Sequence, residues 1–174
     1  GALFQGITGN PLGSPDVLGF TTGAATGALV QIIVLDGDST AVAGGALVGG
    51  LLTALAVHLL TRQAGLTGSR LVLVGLGVGA LLAAVNTLLV EKADLTSAQT
   101  AGSWLAGSLN AIGWDRTVLA AVVVVVLVAA AVALSRAWQT LVLGDDLAHS
   151  LGVSVQRVRA LALLVGVVLV AVTT

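Results

Sequence analysis

Apolar runs too long for a soluble domain of this size constrain the fold more than any other feature. Residues 17–35, 40–60, 71–90 and 117–134 are four such runs in a chain of 174 residues, and 160–174 begins a fifth. A helix of roughly 20 apolar residues spans the ~30 Å hydrocarbon core of a bilayer. Only 9% of residues are charged and 57% are hydrophobic, against about 25% charged in an ordinary soluble domain. The expected fold is all-α, a polytopic transmembrane helix bundle, and the function must be one that a helix bundle in a bilayer can perform.

Composition excludes several classes. A net charge of −1 leaves no basic footprint for nucleic acid. The absence of cysteine removes disulfides, thiol nucleophiles and thiolate metal sites. His58 and His149 are the only histidines and lie far apart in sequence, so no metal site is expected. No basic segment precedes the first apolar run, so nothing reads as a signal peptide. The chain opens and closes inside apolar sequence, as a segment of a longer protein would.

Charge sets the expected orientation. With 61–70 on the cytoplasmic side, alternation places 135–159 inside and 36–39 and 91–116 outside. The inner side then carries Arg62, Arg70, Arg136, Arg157 and Arg159, and the outer side only Lys92 and Arg116. This obeys the positive-inside bias, and the reverse orientation violates it. Residues 96–110 are too short and too polar to cross; with Trp104 inside the segment and Trp114 just beyond it, they read as a short helix at the outer surface.

Lipid supplies little drive for helix association, so close backbone approach matters. Gly23 and Gly27, Gly45 and Gly49, and Gly75 and Gly79 each place two glycines on one helix face, as packing seams do. Gly75, Gly77 and Gly79 lack the spacing of a nucleotide loop. Polar residues within the spans are few. Asn86 and Gln31 are neutral, and either an interhelical hydrogen bond or the lining of a pathway accounts for them. No span carries an acid–base pair, which argues against a proton-coupled secondary transporter and against a voltage sensor. An intramembrane enzyme is disfavoured too, because His58 has no acidic partner in its span.

The segment Leu141–Val153 contains Gly144, Asp145, Asp146, Leu147, Ala148, Leu151 and Gly152. Asp145 suits a helix N-cap, and Gly152 a C-terminus. Leu147 and Leu151 share a face, and Ala148 and Gly152 permit close approach. A short helix of this kind can dock in a groove on a soluble partner or rest on the lipid surface.

Four ordered motifs resemble one family. Gln5, then Asn10-Pro11-Leu12-Gly13-Ser14-Pro15-Asp16-Val17-Leu18-Gly19, is similar to the NPLA-x-P-x-x-LG signature of the FecCD/BtuC-like permeases. Arg70 to Gly75 resembles the family's RL-x-L-x-G helix start. Trp104 to Leu109 resembles its W-x-x-GS segment, and Leu143 to Val153 its LG-x-x-x-A-x-x-LG loop. The details at 10–16, 106–110 and 144–146 look most like the ferric-enterobactin branch.

The resemblance implies the membrane subunit of an ATP-binding-cassette importer for iron–siderophores, in the bacterial cytoplasmic membrane. It implies about ten spans in the whole subunit, of which this chain supplies the end of the second to the start of the seventh. It also implies an ATPase subunit that uses ATP and is contacted by the 135–158 loop through residues 144–152, an extracytoplasmic siderophore-binding protein, and a second permease subunit. No cofactor, metal or bond chemistry is expected of the permease itself. Gln5 and Asn86 are the candidate pathway residues.

Overall fold

The computed structural model describes residues 14–62, 68–107 and 114–142, with Gln5 and a few positions between 158 and 169. Every regular element among them is helical. Helix α1 covers Phe20–Leu29 and runs on into a π turn, Val30–Val34; α2 covers Ser39–Arg62, α3 Gly68–Lys92, α4 Leu95–Leu105 and α5 Trp114–Val142. The all-α expectation holds.

Helices α2 and α3, of 24 and 25 residues, are each about 36 Å long, enough to cross a bilayer core. Their crossing segments, Ser39–Thr61 and Arg70–Lys92, are the two among the described residues that pass on length and apolar content together. Their outward faces are apolar as well. Leu73 is 72% exposed, Leu81 66% and Val125 of α5 67%, a pattern that costs little in lipid and a great deal in water.

Boundaries differ from the sequence reading at both ends. Residues 17–19 belong to a tight turn, not to the helix, because Gly19 sits at φ 77° and breaks the helical path. Helix α5 continues through Ser135 and Arg136 to Val142, where sequence alone places a loop from 135. No proline or glycine interrupts residues 114–142, so nothing ends the helix at the expected depth. At 29 residues it is about 43 Å long and exceeds a ~30 Å core.

Helices α1, α2 and α3 form the packed body, with the α1–α2 contact the most extensive. One core cluster gathers Leu18, Phe20, Val57, Leu71 and Val72. A second gathers Ala24, Ala28, Leu29, Ile32, Val42, Ala46 and Ala101. Ala101 is the contribution of α4, which lies across the ends of the other helices and, at 11 residues, spans only about 16 Å. Buried hydroxyls are satisfied inside their own helices: Thr61 Oγ1 donates to Val57 O at 2.7 Å and Thr53 Oγ1 to Gly49 O at 2.8 Å.

Candidate functional site

The turn that carries the second half of the signature is a built corner. Ser14 Oγ accepts from Val17 N at 3.2 Å, and Ser14 O accepts from Leu18 N at 3.0 Å. Pro15 O accepts from Phe20 N at 3.1 Å, and Thr21 Oγ1 donates to Asp16 Oδ1 at 2.5 Å. Leu18 is fully buried between α2 and α3. Gly19 adopts the left-handed conformation that most side chains resist, and its backbone lies on α3. A Cβ there would stand 2.9 Å from Gly79 Cα and 3.0 Å from Gly75 O. A Cβ on Gly75 would likewise stand 2.8 Å from Leu18 Cα. The Leu-Gly pair of the motif is thus a welded joint between the corner and α3.

A second joint binds α1 to α2. A Cβ on Gly23 would strike Thr53 Oγ1, one on Gly27 would strike Gly45 O, and one on Gly49 would strike Gly23 O. The two glycine pairs interdigitate, so backbone meets backbone along the seam. A groove of about 560 Å³ runs beside it, lined by Thr26, Val30, Gln31, Leu52 and Leu82 among others.

Asn86 lies half-buried on α3 and points its amide at α1. Its Nδ2 donates to Thr22 O at 3.4 Å, an oxygen that Thr26 Oγ1 also reaches at 2.9 Å. The Asn86 Oδ1 is buried and has no hydrogen-bond partner among the described residues. Of the two accounts that the sequence leaves open for this residue, the interhelical bond is present, and an acceptor is left over. The Gln31 side chain packs over the seam, where its Cγ would meet a Cβ on Gly45 at 2.6 Å.

At the far end, the Asp94 carboxylate caps α4, accepting from Thr96 N at 3.1 Å and Ser97 N at 3.2 Å. Hydrogen bonds from the Ser97 hydroxyl, and then from its backbone N–H, hold this carboxyl below its ordinary pKa. A cavity of about 310 Å³ opens between α4 and the π turn, lined by Ile32, Asp36, Val42, Thr100 and Trp104 among others. Among the described residues, no three histidine, cysteine or acidic side chains converge as metal ligands would.

The structure brings Pro15, Leu18 and Gly19 into the corner, and shows Gln5 exposed and helical. Asn10, Pro11 and Leu12 lie outside the described residues, as do Gly144, Asp145, Asp146, Leu147, Ala148, Leu151 and Gly152. Sequence reasoning missed the π turn and the left-handed Asp36 that follows it. Asp36-Gly37 is a turn signal, but nothing in the apolar run before it distinguishes a π turn from an α-helix.

Apolar outward faces, helices of bilayer length and glycine-welded seams define a helical integral-membrane protein. The chain belongs to the FecCD transport family, which it matches over residues 1–174. It is 49% identical to the ferric enterobactin transport system permease protein FepG of Escherichia coli, over 100% of this chain and 53% of that protein. It is 37% identical to the achromobactin transport system permease protein CbrC of Dickeya dadantii, over 97% of this chain and 49% of that protein. A solved structure described as an inward-facing conformation of a metal-chelate type ABC transporter superposes with a TM-score of 0.83 at 26% identity, covering 99% of this chain and 55% of that one. The chain spans about half the length of the curated relatives it matches.

Proposed function

We propose that this chain forms part of the permease subunit of an ATP-binding-cassette importer, and that the importer carries a ferric siderophore of the catecholate type across the bacterial cytoplasmic membrane. The observation that carries this reading is the 49% identity to a ferric enterobactin permease along the whole chain. In this reading the permease does no bond chemistry. A separate ATPase hydrolyses ATP, an extracytoplasmic binding protein delivers the chelate, and a second permease subunit completes the path.

The geometry suits such a role. Corner, α1, α2 and α3 are joined by backbone contact at Gly19–Gly79 and Gly27–Gly45, so force applied at one end moves a block and not a single helix. Residues Leu147, Ala148, Leu151 and Gly152 of the 135–158 segment are proposed to receive that force from the ATPase on the cytoplasmic side. Helix α4 then lies at the outer surface, in keeping with the positive-inside count. Asn86 Oδ1 and Gln5 are the proposed polar groups of the path.

The test is uptake of radiolabelled iron by cells lacking their own FepG and supplied with the full-length gene. Restored uptake of iron–enterobactin, with no gain for a hydroxamate chelate, is the expected result. Restored hydroxamate uptake without enterobactin uptake would overturn the catecholate assignment.

A further inference from the structure

The π turn that ends α1 touches three helices, α2, α3 and α4. Its bond spans five residues, Leu35 N donating to Val30 O at 3.1 Å, and just beyond it Gly37 N donates to Gln31 O at 2.8 Å. A π turn holds one residue more than the α-helix that would replace it, and such turns recur at functional sites. The chain leaves this one through Asp36 at φ 48°, a left-handed conformation that a side-chain-bearing residue adopts at a cost.

Space lies on both sides of the turn. The 310 Å³ cavity meets Ile32, and the 560 Å³ groove meets Val30 and Gln31. Close-packed interiors resist rotation of a helix about its axis, whereas voids beside it lower that resistance. The connector 35–38 contains Gly37, which is able to accept an extra residue with little strain.

We propose that Val30–Val34 is a helix switch. In its second state the turn becomes α-helical and passes one residue into the 35–38 connector. Side chains beyond the conversion rotate by about 100° and rise by about 1.5 Å, the repeat of one α-helical residue. Within the turn the rotation builds up from Val30 to Val34, so Gln31 shifts on its seat over Gly45 and Ile33 leaves the cluster of Ala28, Ile32, Val42 and Ala101 on which Leu89, Val90 and Trp104 also pack. Because Ala101 and Trp104 seat α4 on that cluster, the conversion re-seats α4. The switch thereby couples the α1–α2 seam to the helix that covers its end. The inference rests on the transport reading, since the two states are assigned to two stages of a transport cycle.

The experiment uses the full-length permease assembled with its ATPase and second permease subunit in lipid nanodiscs. Spin labels are placed at Leu35 and Leu60, both exposed, and at Leu52 and Leu60 as a control pair within α2. Pulsed electron resonance is recorded without nucleotide and with ATP and vanadate. Leu60 stands about 30 Å along α2 from Leu35, so a 100° turn with a 1.5 Å rise acts mostly across the line between the labels, and the Leu35–Leu60 distance is expected to shift by about 2–4 Å while the control pair stays fixed. A Leu35–Leu60 distribution that does not move, in a complex whose unlabelled form transports, overturns the switch and leaves the transport reading standing. Absence of uptake by the unlabelled complex removes both.

Deletion of Ile33 closes the π turn into an α-helix and is the second arm. It is expected to lower uptake at least tenfold while the subunits still co-purify. Wild-type uptake by the deletion variant also overturns the switch. If the variant fails to assemble, the distance measurement on the undeleted chain decides.

Discussion

Gly27 and Gly45 face each other with no room for a side chain between them. A Cβ on Gly27 collides with the Gly45 carbonyl oxygen, and one on Gly45 stands 2.6 Å from the Gly27 carbonyl oxygen. Both obstacles are backbone, which cannot rotate away. Gly27→Ala should therefore destabilise the permease by about 1–3 kcal/mol, the usual cost of overpacking. Gly44 on the same helix has open space beside it, so Gly44→Ala should be neutral or up to ~1 kcal/mol stabilising through helix propensity. Thermal unfolding in nanodiscs checks this, and equal midpoints for the two variants would refute the seam.

The corner makes a graded series. Gly19→Ala combines a left-handed backbone, worth about 1–2 kcal/mol, with the close approach to α3. Gly79→Ala meets Gly19 Cα at 3.2 Å and Gly19 N at 3.8 Å, and Gly77→Ala meets nothing within 4 Å. The expected order of lost stability is Gly19, then Gly79, then Gly77, read from the same melting curves. Any other order contradicts the corner as the joint between the signature loop and α3.

Asn86→Leu removes one interhelical hydrogen bond, a bond worth on average about 0.6 kcal/mol in membrane bundles. It also removes an acceptor that has no partner among the described residues. The two effects oppose, so stability should change by less than ~1 kcal/mol. Uptake should fall nonetheless, because the proposed path loses a polar group. Unchanged uptake would assign Asn86 to packing alone.

The Asp94 cap is pH-sensitive in a stated direction. Hydrogen bonds lower its pKa in the folded protein, so its contribution is complete above the unfolded-state pKa of about 4 and is lost as pH falls through the lower folded value. Trp104 is half-buried where α4 meets the bundle. With Trp114 and Trp138 changed to Phe, its fluorescence should shift to the red at low pH in the otherwise native protein. Asp94→Ala should show that shift at every pH, and Asp94→Asn, which keeps the acceptor, at none.

For the proposed coupling segment, Ala148→Trp and Gly152→Trp should each hold a short helix off its groove. Uptake and ATPase co-purification are expected to fall together, while the subunit still inserts. Full association and normal transport in both variants would mean that 141–153 rests on lipid and transmits nothing.

Much of this protein is set by local chemistry. Apolar runs of bilayer length, scarce charge and an arginine-biased set of loops lead to a helical membrane bundle before any contact is known, because a backbone in lipid must satisfy its own hydrogen bonds and a helix does so within one segment. The signature residues name the family for the same reason that they form the corner: Leu18 must fill a core and Gly19 must turn left-handed against α3. Partnership was not local. The glycine pairs at 23/27, 45/49 and 75/79 are visible as faces, yet which face meets which depends on helix rotations set by the whole bundle. Thr22 and Asn86 are joined across 64 positions, a pairing that no periodicity encodes. The π turn at Val30–Val34 was likewise decided in three dimensions, where α2, α3 and α4 converge on a stretch whose residues alone fit an ordinary helix.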